Sequence, residues 1–285
     1  MKKVLIYLVI FQLLAAFASC KKEIMKYEGK EGVYFAVRHG RTHSAEDSWP
    51  YQPFTNVDFV NIGKDVAEVG VKVAITGPVK DYDRTFGVEI NPDSTTAVPG
   101  QHYEAVQPQW TIPAGATFTI IKIKLIRADD LEIEPKTVGL RLVATPQLAL
   151  SFPEWDAIPS LNGADNIVKE FDATLHTLRI NDIMVRPAVW SGSIQPGNVE
   201  SGLMGVFTRR KMEFLIENLG LTYEDFANTD IMPMARMLLI ANDATAILTK
   251  RYNEKKPVLE EDGRLMWLGT VPWRSYIGIP YVPVP

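Results

Sequence analysis

The sequence predicts a mainly-β amino-terminal part, an antiparallel sandwich, followed by an α-helical carboxy-terminal region. Three observations predict it. Short runs with alternating apolar and polar residues recur between positions 33 and 180, the period of strands that bury one face. Turn signals stand between them, at Gly77-Pro78, Asn91-Pro92-Asp93 and Pro113-Ala114-Gly115. Beyond Pro187 the period becomes helical. No long helical pattern separates the strands, so the chain is not a βαβ array.

The first β-type run is 33–37. Residues 39–54 carry Gly, Ser, two Pro and mixed charges without a helical period, and read as loop. A strand follows at 55–60. In 69–76, Val69, Val71, Val73 and Ile75 share one face, with Lys72 and Thr76 on the other. Residues 85–90 alternate with Phe86, Val88 and Ile90 in register. A short strand at 110–112 precedes a long one at 117–127. There Ile121, Ile123 and Leu125 point inward, opposite Lys122 and Lys124. Val138, Leu140 and Leu142 repeat the pattern in 138–144. Residues 148–166 are broken by Pro and Gly, and 173–180 reads as one more strand closing or covering the sheet.

The helical region starts with 208–219, where Met212, Leu215, Ile216 and Leu219 form one apolar stripe. Gly220 stands where a left-handed stop belongs. Thr222 with Asp225 is a cap-like start for a short second helix. A third spans about 233–252, with Pro233 at its start and Met234, Met237, Leu238, Ala241 and Leu248 on or near one face. Residues 258–268 read as a hairpin turning at Asp262-Gly263. The segment 272–285 sets aromatics between prolines and is expected to lie extended over the body. No repeat or low-complexity tract is present.

The amino terminus is a separate matter. Lys2 and Lys3 precede an apolar stretch, 4–17, broken only by Gln12 and short for a membrane span. Small residues and Cys20 follow. This is a secretory signal peptide, and Phe17-Ala18-Ser19-Cys20 resembles a bacterial lipobox. Lipidation at Cys20 would begin the mature chain there, and the acyl chains of that protein class hold stably to a membrane. Cys20 is the one cysteine, so no intramolecular disulfide forms. The expected organisation is a signal peptide at 1–19, a lipidated tether at 20–32, a β-sandwich domain at 33–186 and the helical region with its tail at 187–285.

The chain of 285 residues carries a net charge of −4, more acidic still once Lys2 and Lys3 are removed. That balance argues against nucleic acid, which proteins meet with a basic surface.

Arg38-His39-Gly40 after an apolar run resembles the phosphohistidine motif of the phosphoglycerate mutase and histidine acid phosphatase superfamily. Phosphoryl transfer through histidine needs a second His and several basic groups at one phosphate. The residues after Gly40 make no amphipathic helix. His102 lies in a turn and His176 on an alternating strand without a neighbouring glycine. The expected role is therefore a polar loop, with His39, His43 and the two Arg solvated.

Asp81, Asp83, Asp129 and Asp130, with Glu132 and Glu134 nearby, are candidate calcium carboxylates, since calcium takes six to eight oxygen ligands. None of these runs has the dense spacing of a calcium loop, and solvated turns are the favoured reading. Zinc spacing and Gly-x-Ser-x-Gly are absent, and no nucleophile has a base nearby in sequence. Trp49, Tyr51, Trp273, Tyr276 and Tyr281 are candidates for docking a ligand or partner, against the alternative that they cover core edges.

Several segments in order resemble a lipoprotein family of unknown function from Bacteroidota. They are Asp83-Arg84-Thr85-Phe86, Val88-Glu89-Ile90, Ser94-Thr95-Thr96-Ala97, Gly100-Gln101-His102-Tyr103, Ile112-Pro113-Ala114-Gly115, Lys124-Leu125-Ile126-Arg127 and Leu140-Arg141-Leu142. Arg186-Pro187, Trp190, Gly205-Val206-Phe207-Thr208 and Lys211 resemble its helical part. The resemblance implies an immunoglobulin-like, Calx-beta-like sandwich and an outer-membrane lipoprotein, often encoded beside SusC/SusD-like importers. It implies no catalytic residues and no cofactor beyond the calcium option. Where Calx-beta domains have Gly-x-Asp-Tyr, this chain has Gly100-Gln101-His102-Tyr103, which weakens a carried-over calcium site.

The function expected on this basis is non-enzymatic: an accessory or substrate-capture component of a SusCD-like TonB-dependent import complex for glycan or peptide. The alternative is a surface hydrolase acting on polymeric nutrients, with Asp81, Asp83, Asp129 and Asp130 as its clustered acids. The expected location is the outer membrane, on the cell-surface face, although Lys21-Lys22-Glu23 lacks the acidic run that favours export.

Overall fold

Alternation along the strands resolves into two facing sheets in the computed structural model, which describes residues 29–40, 45, 48–156 and 168–283. One sheet contains β1 (Gly32–Phe35), β3 (Val66–Thr76), β6 (Phe118–Ile126) and β8 (Ala149–Leu150), in the order β6-β3-β1-β8. The other contains β2 (Phe54–Asp58), β4 (Arg84–Ile90), β5 (Gln109–Ile112), β7 (Lys136–Val143) and β11 (Leu175–Asn181), in the order β2-β11-β7-β4-β5. Val33, Phe35, Val71, Val73, Ile121, Ile123 and Leu125 face Phe86, Val88, Val138, Leu140, Leu142, Leu178 and Ile180 in one core. Each fully buried side chain of this kind contributes about 1.5–3 kcal/mol.

The sheets are mixed, which corrects the antiparallel expectation. β8 runs parallel to β1, and β2 runs parallel to β11 through Thr177↔Phe54 to Asn181↔Asp58. Neither pair is joined by a hairpin, so no tight turn forces the antiparallel sense. A four-residue helix α1 (Phe59–Ile62) follows β2; the Asp58 carboxylate caps it by accepting the Val60 N–H, and its Phe59 and Val60 are buried. β9 (Trp155–Asp156) and β10 (Glu170–Phe171) form a separate antiparallel ribbon.

The carboxy-terminal part has its own apolar cluster around Trp190, Met212, Leu215, Phe226, Met237, Ala241, Met266 and Leu268. It opens with an unanticipated hairpin, β12 (Gly192–Gln195) and β13 (Val199–Gly202). Its turn, Pro196-Gly197-Asn198, places Gly197 and Asn198 at positive φ. Helix α2 (Arg209–Leu219) starts on Thr208, whose hydroxyl accepts the Lys211 N–H, and stops at Gly220 in the left-handed region.

Three expectations need correction here. The Thr222–Asp225 capping box forms, but it closes one 3-10 turn (Tyr223–Phe226) rather than an α-helix. In α3 (Met234–Asn253) the buried stripe is Met237, Ile240, Ala241, Ala244 and Leu248. Met234 and Leu238 point to solvent, because the helix turns its small alanines toward α2 and the core. Around Asp262-Gly263 the chain reverses with a single Leu259↔Leu265 bridge instead of two paired strands.

Candidate functional site

The outward face of the four-stranded sheet carries a groove of about 510 Å³. Its floor follows from register. Tyr34 pairs with Ala74 across β1–β3, and Ala74 pairs with Phe118 across β3–β6. One row thus runs Tyr34, Ala74, Phe118, with an alanine between two rings. The next row is set by the Ala36 N–H donating to the Lys72 carbonyl at 2.8 Å. Ala36 and Ala74 keep the floor low, and the larger side chains form its walls.

One wall is aromatic and cationic. The strand-like bridge Arg38↔Tyr51 brings the loop after β1 back alongside it. The Arg38 guanidinium donates to the Tyr51 hydroxyl at 2.7 Å and lies 4.3 Å from that ring's centroid. On the opposite wall, Lys72 Nζ lies 4.4 Å from the centroid of Phe118. Phe118 is 42% exposed, so part of its ring faces solvent beside the groove.

Behind the groove the rings continue. Trp155 meets Tyr51 edge-on at 4.8 Å, lies 6.0 Å from both Tyr34 and Phe171, and meets Phe152 at 5.1 Å. Phe152 has φ 59, a strained conformation for a bulky residue, and it holds that ring 5.0 Å from Tyr34. The Tyr34 hydroxyl is pushed up to about 12, first by burial and then by the neighbouring Tyr51 hydroxyl. It therefore stays protonated, able to donate or accept a hydrogen bond at any physiological pH.

The sequence-predicted residues are dispersed. Cys20 lies outside the described residues. Tyr51 is in the groove. Trp49 packs on Gly40, where an added Cβ would sit 2.2 Å from the indole Cδ1. Trp273 stacks on Tyr252 at 4.9 Å and donates its indole N–H to the Met266 carbonyl, covering an edge of the second core. Tyr281 lies 6.0 Å from Tyr252, and Tyr276 bridges to Val199.

The four aspartates are equally separate in their surroundings. Asp81 is exposed, and Asp83 accepts the Ala114 N–H at 2.8 Å. Asp129 lines a polar hollow with Asp65, Arg127, Glu132, Asp182, Arg209 and Glu213. Asp130 accepts from His102 Nε2 at 2.9 Å, and that hydrogen bond holds its carboxyl below the usual range. Among the described residues, no group of three or more His, Cys, Asp or Glu is arranged to hold a metal ion.

The histidine motif has a structural account. Gly40 makes room for Trp49, and His39 is exposed. Arg38 is held against Tyr51 rather than solvated, a correction to the loop reading; Arg41 and His43 lie outside the described residues. His102 is buried; its Nδ1 accepts the Val98 N–H, which leaves Nε2 to donate to Asp130. His176 is buried beside Phe35 with Nε2 on the Thr55 hydroxyl, and burial pushes it down to about 3.

Sequence reasoning missed Tyr34, Lys72, Phe118, Phe152 and Trp155. It also missed a buried charge network in the second core. Lys211 Nζ pairs with Glu200 and donates to the Val206 carbonyl. Arg264 Nε donates to Glu200 at 2.9 Å, and the Thr208 hydroxyl donates to Glu260 at 2.8 Å. Burial holds Lys211 below, and Glu260 above, their ordinary ranges. The carboxylate Glu200 also accepts the Val206 N–H and the Ser275 hydroxyl, so its charge is well solvated by the protein.

A family model described as a domain of unknown function (DUF4843) matches residues 27–221, which spans the sandwich and α2. No curated protein matches the chain. Among solved structures, the CBD12 fragment of CALX1.2 is 17% identical with a TM-score of 0.34, covering 53% of this chain. This chain spans 44% of that fragment's length. The apo-form Calx CBD1 domain is 17% identical over 55% of this chain and 100% of its own, with a TM-score of 0.35. A protein of unknown function from Bacteroides ovatus is 12% identical over 62% of this chain and 55% of its own, with a TM-score of 0.33.

Proposed function

This chain belongs to the DUF4843 family, and on that premise we propose that it is a non-enzymatic, lipid-anchored capture protein of a nutrient-import complex. In this reading Cys20 anchors the chain to the outer membrane, on the cell-surface side. The body stands beside a SusCD-like TonB-dependent transporter and holds glycan or peptide for it. The anchor keeps the groove at high effective concentration near the transporter, so a shallow site of modest affinity suffices.

The observation that carries the reading is the groove between Arg38–Tyr51 and Lys72–Phe118. It pairs ring faces with hydrogen-bonding tips over an alanine floor, the composition of a binding site rather than of a reaction centre. Its polar lining among the described residues is Tyr34, Arg38, Tyr51, Lys72 and Thr117.

The test is a gentle pull-down of the tagged protein from detergent-solubilised outer membranes of its own host, with Cys20→Ser as control. The expected result is co-purification of a TonB-dependent porin and a SusD-like lipoprotein in near-equal amounts, and release of the variant to the soluble fraction. Recovery of the wild-type protein alone would overturn the complex.

A further inference from the structure

We propose that the captured substrate is peptide, taken in extended form as an added strand on the free edge of β6, with an apolar side chain seated beside Trp110; this rests on the reading of the chain as a capture protein. β6 is the last strand of its sheet. Register decides which of its backbone groups are already engaged. The Thr117 carbonyl accepts the Ile75 N–H at 3.0 Å, and the Arg127 N–H donates to the Asp65 carbonyl at 2.8 Å. Odd-numbered residues of β6 therefore turn their N–H and C=O toward β3, and even-numbered residues turn theirs outward.

One half of that outward edge is covered. The Ile126 N–H donates to the His102 carbonyl at 2.8 Å, the Lys124 carbonyl accepts the Glu104 N–H at 3.0 Å, and Tyr103 bridges to Leu125. The other half is open. Among the described residues, the outward N–H and C=O groups of Phe118, Ile120 and Lys122 have no backbone partner. Such a row of donors and acceptors is the complement of a peptide main chain, which pairs with it whatever its side chains. Sugar hydroxyls carry no repeat at strand spacing.

Both ends of the open stretch reach a cavity. Phe118 lines the groove already described, and Lys122 lines a second crevice of about 340 Å³ between β6 and the segment 104–107. The apolar lining of the crevice is Val106, Trp110 and Ile123. The Trp110 indole N–H donates to the Gln107 carbonyl at 2.8 Å, which fixes the ring. The charges at the crevice are paired, Lys122 with Glu68 at 2.7 Å and Lys124 with Glu104 at 3.3 Å, so the lining suits an uncharged side chain. The side chains of Phe118 and Ile120 are exposed and favour apolar neighbours on an added strand. From Phe118 to Lys122 the strand spans about 13 Å, so a peptide of about six residues pairs with the open edge and reaches both cavities.

Fluorescence anisotropy on the full-length protein in detergent tests this with labelled hexapeptides that alternate Thr with Val, Leu or Phe, and with labelled maltoheptaose. The expected result is binding of at least one peptide and none of the sugar. Two further versions of the bound peptide carry N-methyl groups on alternate residues, one version on each set. The version methylated on the set that faces β6 should bind at least tenfold more weakly than the other. Ile120→Pro removes one outward N–H and leaves the ladder to β3 intact, so it should weaken binding about tenfold with little change in melting temperature. Equal effects of the two methylations would overturn backbone pairing, and that comparison decides the matter even if the proline variant unfolds. Binding of no peptide would overturn the inference. Binding of maltoheptaose in their place would do so in favour of glycan and leave capture standing. A dimer in sedimentation that Ile120→Pro abolishes would assign the edge to a second copy and equally overturn it. The pull-down judges the complex separately.

Discussion

Arg127 grips Asp182 with two parallel hydrogen bonds, Nε to Oδ2 at 2.7 Å and Nη2 to Oδ1 at 3.1 Å, at the point where the two apolar cores meet. Arg127 follows β6 and Asp182 follows β11, so the clamp ties the two sheets together. Arg209, in the first turn of α2, donates to the same carboxylate at 2.6 Å and to the Asp182 carbonyl at 2.8 Å. One buried acid therefore links the sandwich to the helical part. The Asp182→Ala variant leaves two guanidinium groups without their shared anion. A fully buried pair broken this way costs about 3–5 kcal/mol, and the 28% exposure of the Arg127 side chain reduces that to about 2–3 kcal/mol. Urea unfolding measures the loss. Amide exchange should show α2 and α3 losing protection before β3 and β7, whereas uniform loss across both cores would contradict the joint.

Stability should fall with acid through His176. Its ordinary value of 6.5 is lowered to about 3 in the fold because burial penalises the cation. The unfolded chain therefore binds the extra proton between those values and the native chain does not. Stability is fully present above about 6.5 and is lost as the pH falls toward 3, by on the order of a few kcal/mol. Replacing His176 by Gln removes the proton-binding site. Thermal melts between pH 7 and 4 should then have a shallower slope than wild type; parallel slopes would refute the assignment.

What was legible in the sequence is the part ruled by local period. The inward sets Ile121–Ile123–Leu125 and Val138–Leu140–Leu142 are all buried, because two-residue alternation needs no knowledge of the partner strand. The groove was half legible. Tyr51 stood out as an aromatic in a polar loop, but Tyr34, Ala74 and Phe118 become one row only through cross-strand register, which is a long-range property. Trp155 and Phe171 lie on two-residue strands too short to show a pattern. In α3 the stripe was misplaced because Met and Leu outrank Ala in apolarity. Ala241 and Ala244 are nonetheless fully buried, where their size permits close packing.

The buried network around Lys211 could not be read from sequence at all, since charged residues are expected outside. Its energetics are testable. In Lys211→Met, Glu200 keeps Arg264 and Ser275, but Glu260 loses its nearer cation. The expected loss is about 3–5 kcal/mol. Adding Glu260→Gln to that variant removes the stranded charge, so the double variant should be more stable than Lys211→Met alone. A double variant as weak as the sum of its parts would show that the pair is not coupled.

The Arg38-His39-Gly40 motif gives the last prediction. If the motif served phosphoryl transfer, His39 would be its indispensable member; if it serves packing, Gly40 is. A Cβ at Gly40 would meet three atoms of the Trp49 ring, the nearest at 2.2 Å, so Gly40→Ala must push the indole aside. The ring is only half-buried and can give way, which limits the expected cost to about 1 kcal/mol. In a Trp49→Ala background the three nearest of these contacts are gone, and the effect of the same substitution should shrink. His39→Ala, at an exposed position, should leave stability within about 0.5 kcal/mol of wild type. The four urea curves decide between the roles: an equal effect of Gly40→Ala with and without Trp49 would mean that the glycine is needed for something other than this contact.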